Sequence, residues 1–375
     1  MTPSARRRTP CRVQQVKIRD ELPEDLSART PAQLLQLTRH VERSQRGEIS
    51  GQTAIACLLA LILVLLSSVH PASGQGIAAK YVRDVGIQND PDVILTEMFE
   101  DSVAALAGRW SQVQNGAGMS LSSDVPPASG GTRSLLMTSV GGTNSGGLLY
   151  KNLGPGYDQV YLRYYIKYAA AGTYHHTGGW LGGYNPPTDW PQGGAGEKPS
   201  GSDRFSIGPE PTASALQFDL YTYWMEMRVS PDNVNYWGNT FLHDPNVIAK
   251  TGQWMCVEVM VKMNNPLSER NGELALWIDG TQIIYLRQGS PLGNWVFNMF
   301  TPSPAGTPFE GFRWRANDLL KLNWIWLQHY TTGDPSGFVG KVWWDHVVLA
   351  KKYIGPINTS PVGGTPAAPS ALSVQ

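Results

Sequence analysis

Trp254-Met255-Cys256-Val257-Glu258-Val259-Met260-Val261-Lys262-Met263-Asn264 is the stretch on which the fold turns. Successive side chains of an extended chain point to opposite faces, so Met255, Val257, Val259, Val261 and Met263 make one continuous apolar face. Trp254, Cys256, Glu258, Met260 and Lys262 take the other. Shortly afterwards comes Glu273-Leu274-Ala275-Leu276-Trp277-Ile278-Asp279-Gly280, and then a second run from Gln282 to Arg287. Asp-Gly between two such runs is a hairpin turn of the tightest kind. Three consecutive antiparallel strands are therefore expected from this region alone.

The same period of two extends outward over Ser134 to Ser139, Tyr161 to Ala169, Leu216 to Arg228, Trp324 to Tyr330 and Lys341 to Ala350, with Gly, Pro, Asn and Asp clusters between. No segment carries an apolar stripe of helix length, although Asn317 to Leu322 is expected to form one helical turn. All 13 Trp lie beyond residue 75, in a chain with 40 Gly and 27 Pro, as suits short strands joined by ordered turns. The expectation is an all-β fold, one antiparallel β-sandwich over residues 76–356.

The ends differ in kind. Residues 1–53 are Arg-rich, contain no Trp, Tyr or Phe, and read as a disordered leader. Residues 54–75 combine a run of Ala, Ile, Leu and Val with small residues near Gly74, which is the pattern of a signal-peptide core or a membrane anchor. Its 16-residue run is shorter than the roughly 20 residues that span a bilayer, so cleavage, and a secreted or extracytoplasmic protein, is the expectation. Membrane contact is expected only through this segment, if uncleaved. Residues 357–375 read as a Pro, Ala and Ser-rich linker or the start of a further domain, their last ten residues resembling the opening strand of a fibronectin type III domain. The leader holds 10 of the 30 basic and 6 of the 30 acidic residues, leaving 20 against 24 and a net charge of −4. That balance lacks the basic footprint of a nucleic-acid binder. Cys256 alone lies beyond residue 75, so no internal disulfide can form there.

Several strands set aromatic and polar residues opposite an aliphatic face. Tyr161, Arg163, Tyr165 and Lys167 share one side of their strand. Trp324, Trp326, Gln328 and Tyr330 share another, and Tyr221 and Tyr223 a third. Sugar rings pack an apolar C–H face on such rings and present hydroxyls to polar neighbours. Amphipathic strands also occur in every sandwich, so the set carries more weight than any one strand. The stretch from Tyr174 to Phe205, with His175, His176, Trp180 and Arg204, reads as one long functional loop. Adjacent His residues diverge on a regular strand, so glycan contact or packing is expected of His175 and His176 ahead of metal binding.

Four segments together resemble concanavalin A-like jelly rolls, and within them the polysaccharide-lyase branch. They are Tyr157 to Tyr165, Trp254 to Asn264, Gly272 to Gly280 and Trp344-Asp345-His346-Val347-Val348-Leu349-Ala350. The resemblance covers about residues 93–355 and implies cleavage of a uronic-acid-containing polysaccharide by β-elimination. It also implies a structural calcium, with Glu100 and Asp345 as the matching carboxylates, and no organic cofactor. Such chemistry needs a group that neutralises the uronate, a base and an acid. Arg163 or Gln328 would neutralise, His175, His176 or Lys167 would be the base, and Tyr223 or Tyr330 the acid. Tyr161, Tyr165, Trp180, Tyr221, Arg204, Trp324 and Trp326 would hold the substrate. The chain departs from the alginate-lyase pattern, which spaces its Gln and His by one residue, whereas Gln328 and His329 are adjacent. It also lacks the Glu-x-Asp-x-x-Glu strand of the glycoside hydrolases of this fold. The competing reading is a non-catalytic glycan-binding or adhesion module.

Overall fold

A computed structural model describes residues 76–359, apart from 171, 173 and 213–215. The leader, the apolar run and the tail beyond residue 359 lie outside the described residues, as do the expectations placed on them. Among the described residues no helix is long and apolar enough to cross a membrane.

Among the described residues seventeen strands are numbered in chain order. One sheet runs, edge to edge, through β12 (Thr281–Leu286), β11 (Glu273–Ile278), β10 (Trp254–Lys262), β6 (Gln159–Tyr168), β17 (Val339–Ala350), β4 (Ser134–Val140) and β3 (Met119–Ser122). The far half of β17 pairs instead with β1 (Val93–Glu97). The second sheet runs β2 (Gln112–Gln114), β5 (Gly146–Tyr157), β16 (Leu322–Tyr330), β7 (Thr177–Tyr184), β8 (Arg204–Pro211) and β9 (Phe218–Tyr223). A small third sheet joins β14 (Met299–Pro302), β13 (Leu292–Val296) and β15 (Thr307–Pro308). Every pairing between these strands is antiparallel, and the two large sheets enclose one core as a jelly-roll sandwich.

The alternation behaves as the sequence requires. Met255, Val257, Val259 and Val261 of β10 enter the core beside Leu162, Tyr164 and Ile166 of β6. Each such side chain contributes about 1.5–3 kcal/mol through removal from water. Asp279 and Gly280 adopt left-handed conformations (φ 50° and 79°) and close the β11–β12 hairpin. The Asp279 carboxylate also accepts the Cys256 N–H at 2.8 Å, tying the turn to the neighbouring strand.

The opposite face of this sheet overturns one expectation. Tyr161, Arg163, Tyr165 and Lys167 do not line a binding surface, because the chain's own distant segments cover them. Arg163 is fully buried. It pairs with Asp84 from the segment before β1 and donates to the carbonyls of Gly355 (3.1 Å) and His346 (3.2 Å). Asp84 in turn bonds His346 Nδ1 at 2.8 Å. Glu258 accepts the N–H groups of Ile354 (2.7 Å) and Gly355 (2.8 Å), and the Tyr165 hydroxyl accepts that of Ile357 (2.9 Å). Tyr161 packs against Trp277 and Tyr353. Lys167 is buried in an ion pair with Asp124, its ammonium 4.6 Å from the Trp343 ring centre. The contacts to Asp84 and to Tyr353, Ile354, Gly355 and Ile357 fasten the two ends of the described chain to the sheet.

Removing one member of a buried ion pair strands the other's charge. Arg163→Met is expected to lower the unfolding free energy by about 3–5 kcal/mol in a urea titration, and Asp84→Asn in the same background to add less than its own single cost. A loss below about 1 kcal/mol would contradict the clamp.

Candidate functional site

The second sheet carries the site on the face turned away from the core. Along β16, Ile325 and Leu327 enter the core while Trp324, Trp326, Gln328 and Tyr330 face outward. His329 falls on the core side, bonded to Thr177 Oγ1 (3.0 Å) and Ser139 Oγ (3.2 Å). Its burial drives its pKa down to about 4, so it serves the core as a neutral ring.

The segment expected to be one long loop contains two strands, β7 and the start of β8. Trp180 lies opposite Trp326 and Gly182 opposite Trp324. The Gly-rich composition that hides these strands in the sequence has a steric cause. A Cβ at Gly182 would lie 2.5 Å from the Trp324 ring, and one at Gly208 would lie 2.2 Å from the Trp180 ring. Tyr184 stacks on Trp324 with ring centres 5.3 Å apart, and Tyr150 meets the same indole at 5.9 Å. The result is a groove of about 720 Å³ floored by Trp180, Trp324, Trp326 and Tyr184. Trp190 and Trp237 stand half-exposed near it.

Polar groups gather at the end of this floor where β7 begins, with Arg204 set apart opposite Tyr184 where β7 ends. His176 adopts φ 64° just before β7, a left-handed turn that brings two adjacent imidazoles onto one side. Their ring centres are 3.7 Å apart, and both Nδ1 atoms face the Glu210 Oε1, at 3.1 Å from His176 and 3.4 Å from His175. Burial, and secondarily the charge of His176, lower the His175 pKa to about 4. Burial raises that of Glu210. Gln328 Nε2 donates to the His176 carbonyl at 3.0 Å, and the Tyr330 ring centre lies 6.3 Å from that of His176. The Tyr221 and Tyr223 hydroxyls meet at 3.5 Å. Burial, with Tyr223 beside it, raises the Tyr221 pKa, so its phenol stays protonated. Arg204 lies 5.8 Å from the Tyr223 ring centre and donates to the carbonyls of Gly194 (3.0 Å) and Glu197 (2.9 Å).

His175, His176, Trp180, Arg204, Tyr221, Tyr223, Trp324, Trp326, Gln328 and Tyr330 thus share one face of the second sheet and its mouth, whereas Tyr161, Arg163, Tyr165 and Lys167 lie across the core from them. Arg163 as neutraliser and Lys167 as base are therefore corrected, as are Tyr161 and Tyr165 as substrate contacts. Sequence reading missed Glu210, set between Pro209 and Pro211 where no strand was expected. The available signal was its period with Arg204, Ser206 and Gly208.

Glu100 and Asp345 belong to the other sheet. Glu100 accepts the N–H groups of Thr132 (2.7 Å) and Arg133 (2.9 Å). Asp345 Oδ1 accepts its neighbour's N–H at 2.7 Å, while its buried Oδ2 makes no hydrogen bond. Burial and then the nearby Glu100 charge raise the Asp345 pKa to about 8. Thr132 and Arg133 hold both Glu100 oxygens, so Asp345 Oδ2 is the oxygen of this pair left without a hydrogen bond.

No family model matches the chain, and no curated protein sequence matches it. Among solved structures the chain is similar to alginate lyase Aly36B, at 15% identity over 69% of this chain and 95% of that one, with a TM-score of 0.45. It is similar to alginate lyase vAL-1 from Chlorella virus, at 12% identity over 69% and 100%, TM-score 0.44. A third is the endo-beta-1,4-glucuronan lyase from the fungus Trichoderma reesei, at 14% identity over 64% and 91%, TM-score 0.38. These overlaps are loose, and the fold is assigned from the sheets themselves.

Asp345 would lose its proton near pH 4 in an unfolded chain, but holds it to about pH 8 when folded. Its raised pKa therefore contributes stability that is full below about pH 4 and lost as the pH rises through about 8. Glu258, raised by burial to about 7, acts in the same direction. Thermal melting with chelator present is expected at a higher temperature at pH 5 than at pH 8, with Asp345→Asn removing part of the difference. A midpoint that climbs over this interval would contradict the burial argument.

Proposed function

We propose that the protein is an exported carbohydrate-active enzyme that holds a uronic-acid-containing polysaccharide along the groove and cleaves it by β-elimination. The observation that carries this is the meeting of a four-ring floor with His176, Gln328 and Tyr330 at one end of it. Rings of this kind bind the C–H faces of sugars, and a proton-transfer pair beside them is what elimination adds to binding. His176 is the base. Glu210 bonds its Nδ1, which fixes the ring and leaves Nε2 to take the proton from the carbon beside the uronate carboxylate. Gln328, at the same end as His176, offers an N–H group to that carboxylate. The electron pair released forms the ring double bond, the glycosidic C–O bond breaks, and the hydroxyl of Tyr330 or Tyr223 protonates the leaving oxygen. We further propose that a structural calcium sits between Glu100 and Asp345, remote from this chemistry.

A non-catalytic glycan-binding module is the second reading. It is favoured by the position of Arg204, whose Nη2 is taken up by two backbone carbonyls and which stands opposite Tyr184, away from the His176 end.

Three measurements test these readings. Absorbance near 235 nm, where an unsaturated uronate product absorbs, is expected to rise on mixing with a uronic-acid polysaccharide, and to fall by about 100-fold or more in His176→Ala and Tyr330→Phe. A flat trace with the glycan still retarding the protein in a gel would transfer the groove to the binding-module reading. Trp326→Ala is expected to weaken that retention by about 1 kcal/mol, or roughly fivefold, through the lost ring face. Calcium at pH 8 is expected to raise the melting temperature of the wild type and leave Asp345→Asn unmoved; equal shifts in both would remove the calcium from this position.

A further inference from the structure

His175, His176 and Glu210 do more than an acid–base dyad requires. A dyad needs one imidazole and one carboxylate, yet here a second imidazole is folded against the first with its Nδ1 on the same oxygen. We propose that these three side chains form a binding site for a transition-metal dication of the zinc class, bound through both Nδ1 atoms and the Glu210 carboxylate.

The donor geometry supports this. All three ligand atoms lie within 4.8 Å of one another, and the two imidazole-to-carboxylate separations are 3.1 and 3.4 Å. Tetrahedral bonds of about 2.0–2.1 Å set neighbouring donors roughly 3.3 Å apart, so the triad needs little rearrangement to close on an ion. Two His and one carboxylate are also a ligand set that leaves a coordination position open.

Charge points the same way. Glu210 is fully buried. Among the described residues its ion-pair partners are these two imidazoles, with no Lys or Arg. Its Oε2 makes no hydrogen bond of regular geometry, although the Trp180 indole is beside it. The two imidazoles, with ring centres 3.7 Å apart, aim both Nδ1 atoms at one carboxylate oxygen, and imidazole nitrogen is a common ligand of such metals. A dication satisfies the buried carboxylate and uses both lone pairs. Tyr221 lies 5.3 Å and 5.6 Å from the two ring centres and Gln328 anchors the His176 carbonyl, while Asp219, opposite Glu210, is turned to the N–H groups of Leu220, Phe241, Leu242 and His243. Access exists from two sides. His176 lines the groove, and both His residues line an adjoining cavity of about 480 Å³. The His175 side chain is 49% exposed and that of His176 29%.

One consequence rests on the lyase reading. A metal on Nδ1 forces the His176 proton onto Nε2, where it is a donor toward the groove and no longer a base. Metal occupancy and proton abstraction by His176 then exclude each other, and the metal silences elimination.

The test uses the full chain without a polyhistidine tag, stripped of metal and titrated with Co²⁺ alone, followed by visible d–d absorption and then by displacement with Zn²⁺. One equivalent of Co²⁺ with tetrahedral-type bands is expected. Affinity should fall by about 100-fold in His175→Ala, whose ring is half exposed, and in Glu210→Gln, with melting curves checking that both variants are folded; that loss exceeds the effect of most supporting groups. Absent bands, or bands unchanged in His175→Ala, would overturn the site. Absorbance at 235 nm is read separately: undiminished elimination by the Zn²⁺-loaded protein would overturn the exclusion, while a protein with no elimination at all still has its metal site decided by the Co²⁺ spectrum.

Discussion

Strands in a sheet lie about 4.8 Å apart, less than an indole's breadth, so three tryptophans can share the middle of one face only where their neighbours vacate the space. The second sheet meets that constraint with Gly182 beneath Trp324 and Gly208 beneath Trp180. The remaining features follow from it. The rings crowd into a continuous floor, the strands that carry the glycines lose their own hydrophobic signature, and the polar residues are displaced to the ends of the floor. The cluster of His176, Glu210, Gln328 and Tyr330 sits where the row of rings stops.

The two sheets share one alternation and put it to opposite uses. Each has an aliphatic face toward the core and a mixed aromatic and polar face away from it. On the β6–β10–β17 sheet the mixed face is roofed by the segment before β1 and by the segment after β17, and its charges become internal. Arg163 there meets Asp84 and two carbonyls, and Glu258 meets two N–H groups. On the β5–β16–β7–β8 sheet nothing among the described residues lies across Trp326 or Tyr330 in this way, and the face stays open as a groove.

This division marks how far the sequence could be read. β10, the β11–β12 hairpin, β16 and β17 were legible because β-branched and aliphatic residues recur at every second position. β7 and β8 were not, since Thr-Gly-Gly-Trp-Leu-Gly-Gly-Tyr and Gly-Pro-Glu-Pro carry turn formers where strands usually carry bulk. Alternation assigned Arg163 and Lys167 to a mixed face correctly, but could not say which mixed face would be roofed: the partner of Arg163 is 79 residues away and its carbonyl acceptor at Gly355 is 192 away. The rule that adjacent His residues diverge holds for a regular strand. It failed at His175–His176 because of one left-handed residue, which no period in the sequence announces.

Buried carboxylate oxygens are nearly always hydrogen-bonded, and most of those here are. Asp219 accepts the N–H groups of Leu220, Phe241, Leu242 and His243, and needs nothing further. Glu210 and Asp345 differ, each keeping one buried oxygen without a hydrogen bond. Their surroundings differ in turn. Asp345 has a second carboxylate nearby and backbone around it, a setting of hard oxygen donors, whereas Glu210 has two imidazoles. A buried carboxyl that lacks one hydrogen bond is costly to ionise, and burial accordingly raises the pKa of both. On the roofed sheet the unmet oxygen is enclosed by the chain's own segments, whereas at the open groove it lies behind two imidazoles that are partly exposed to solvent.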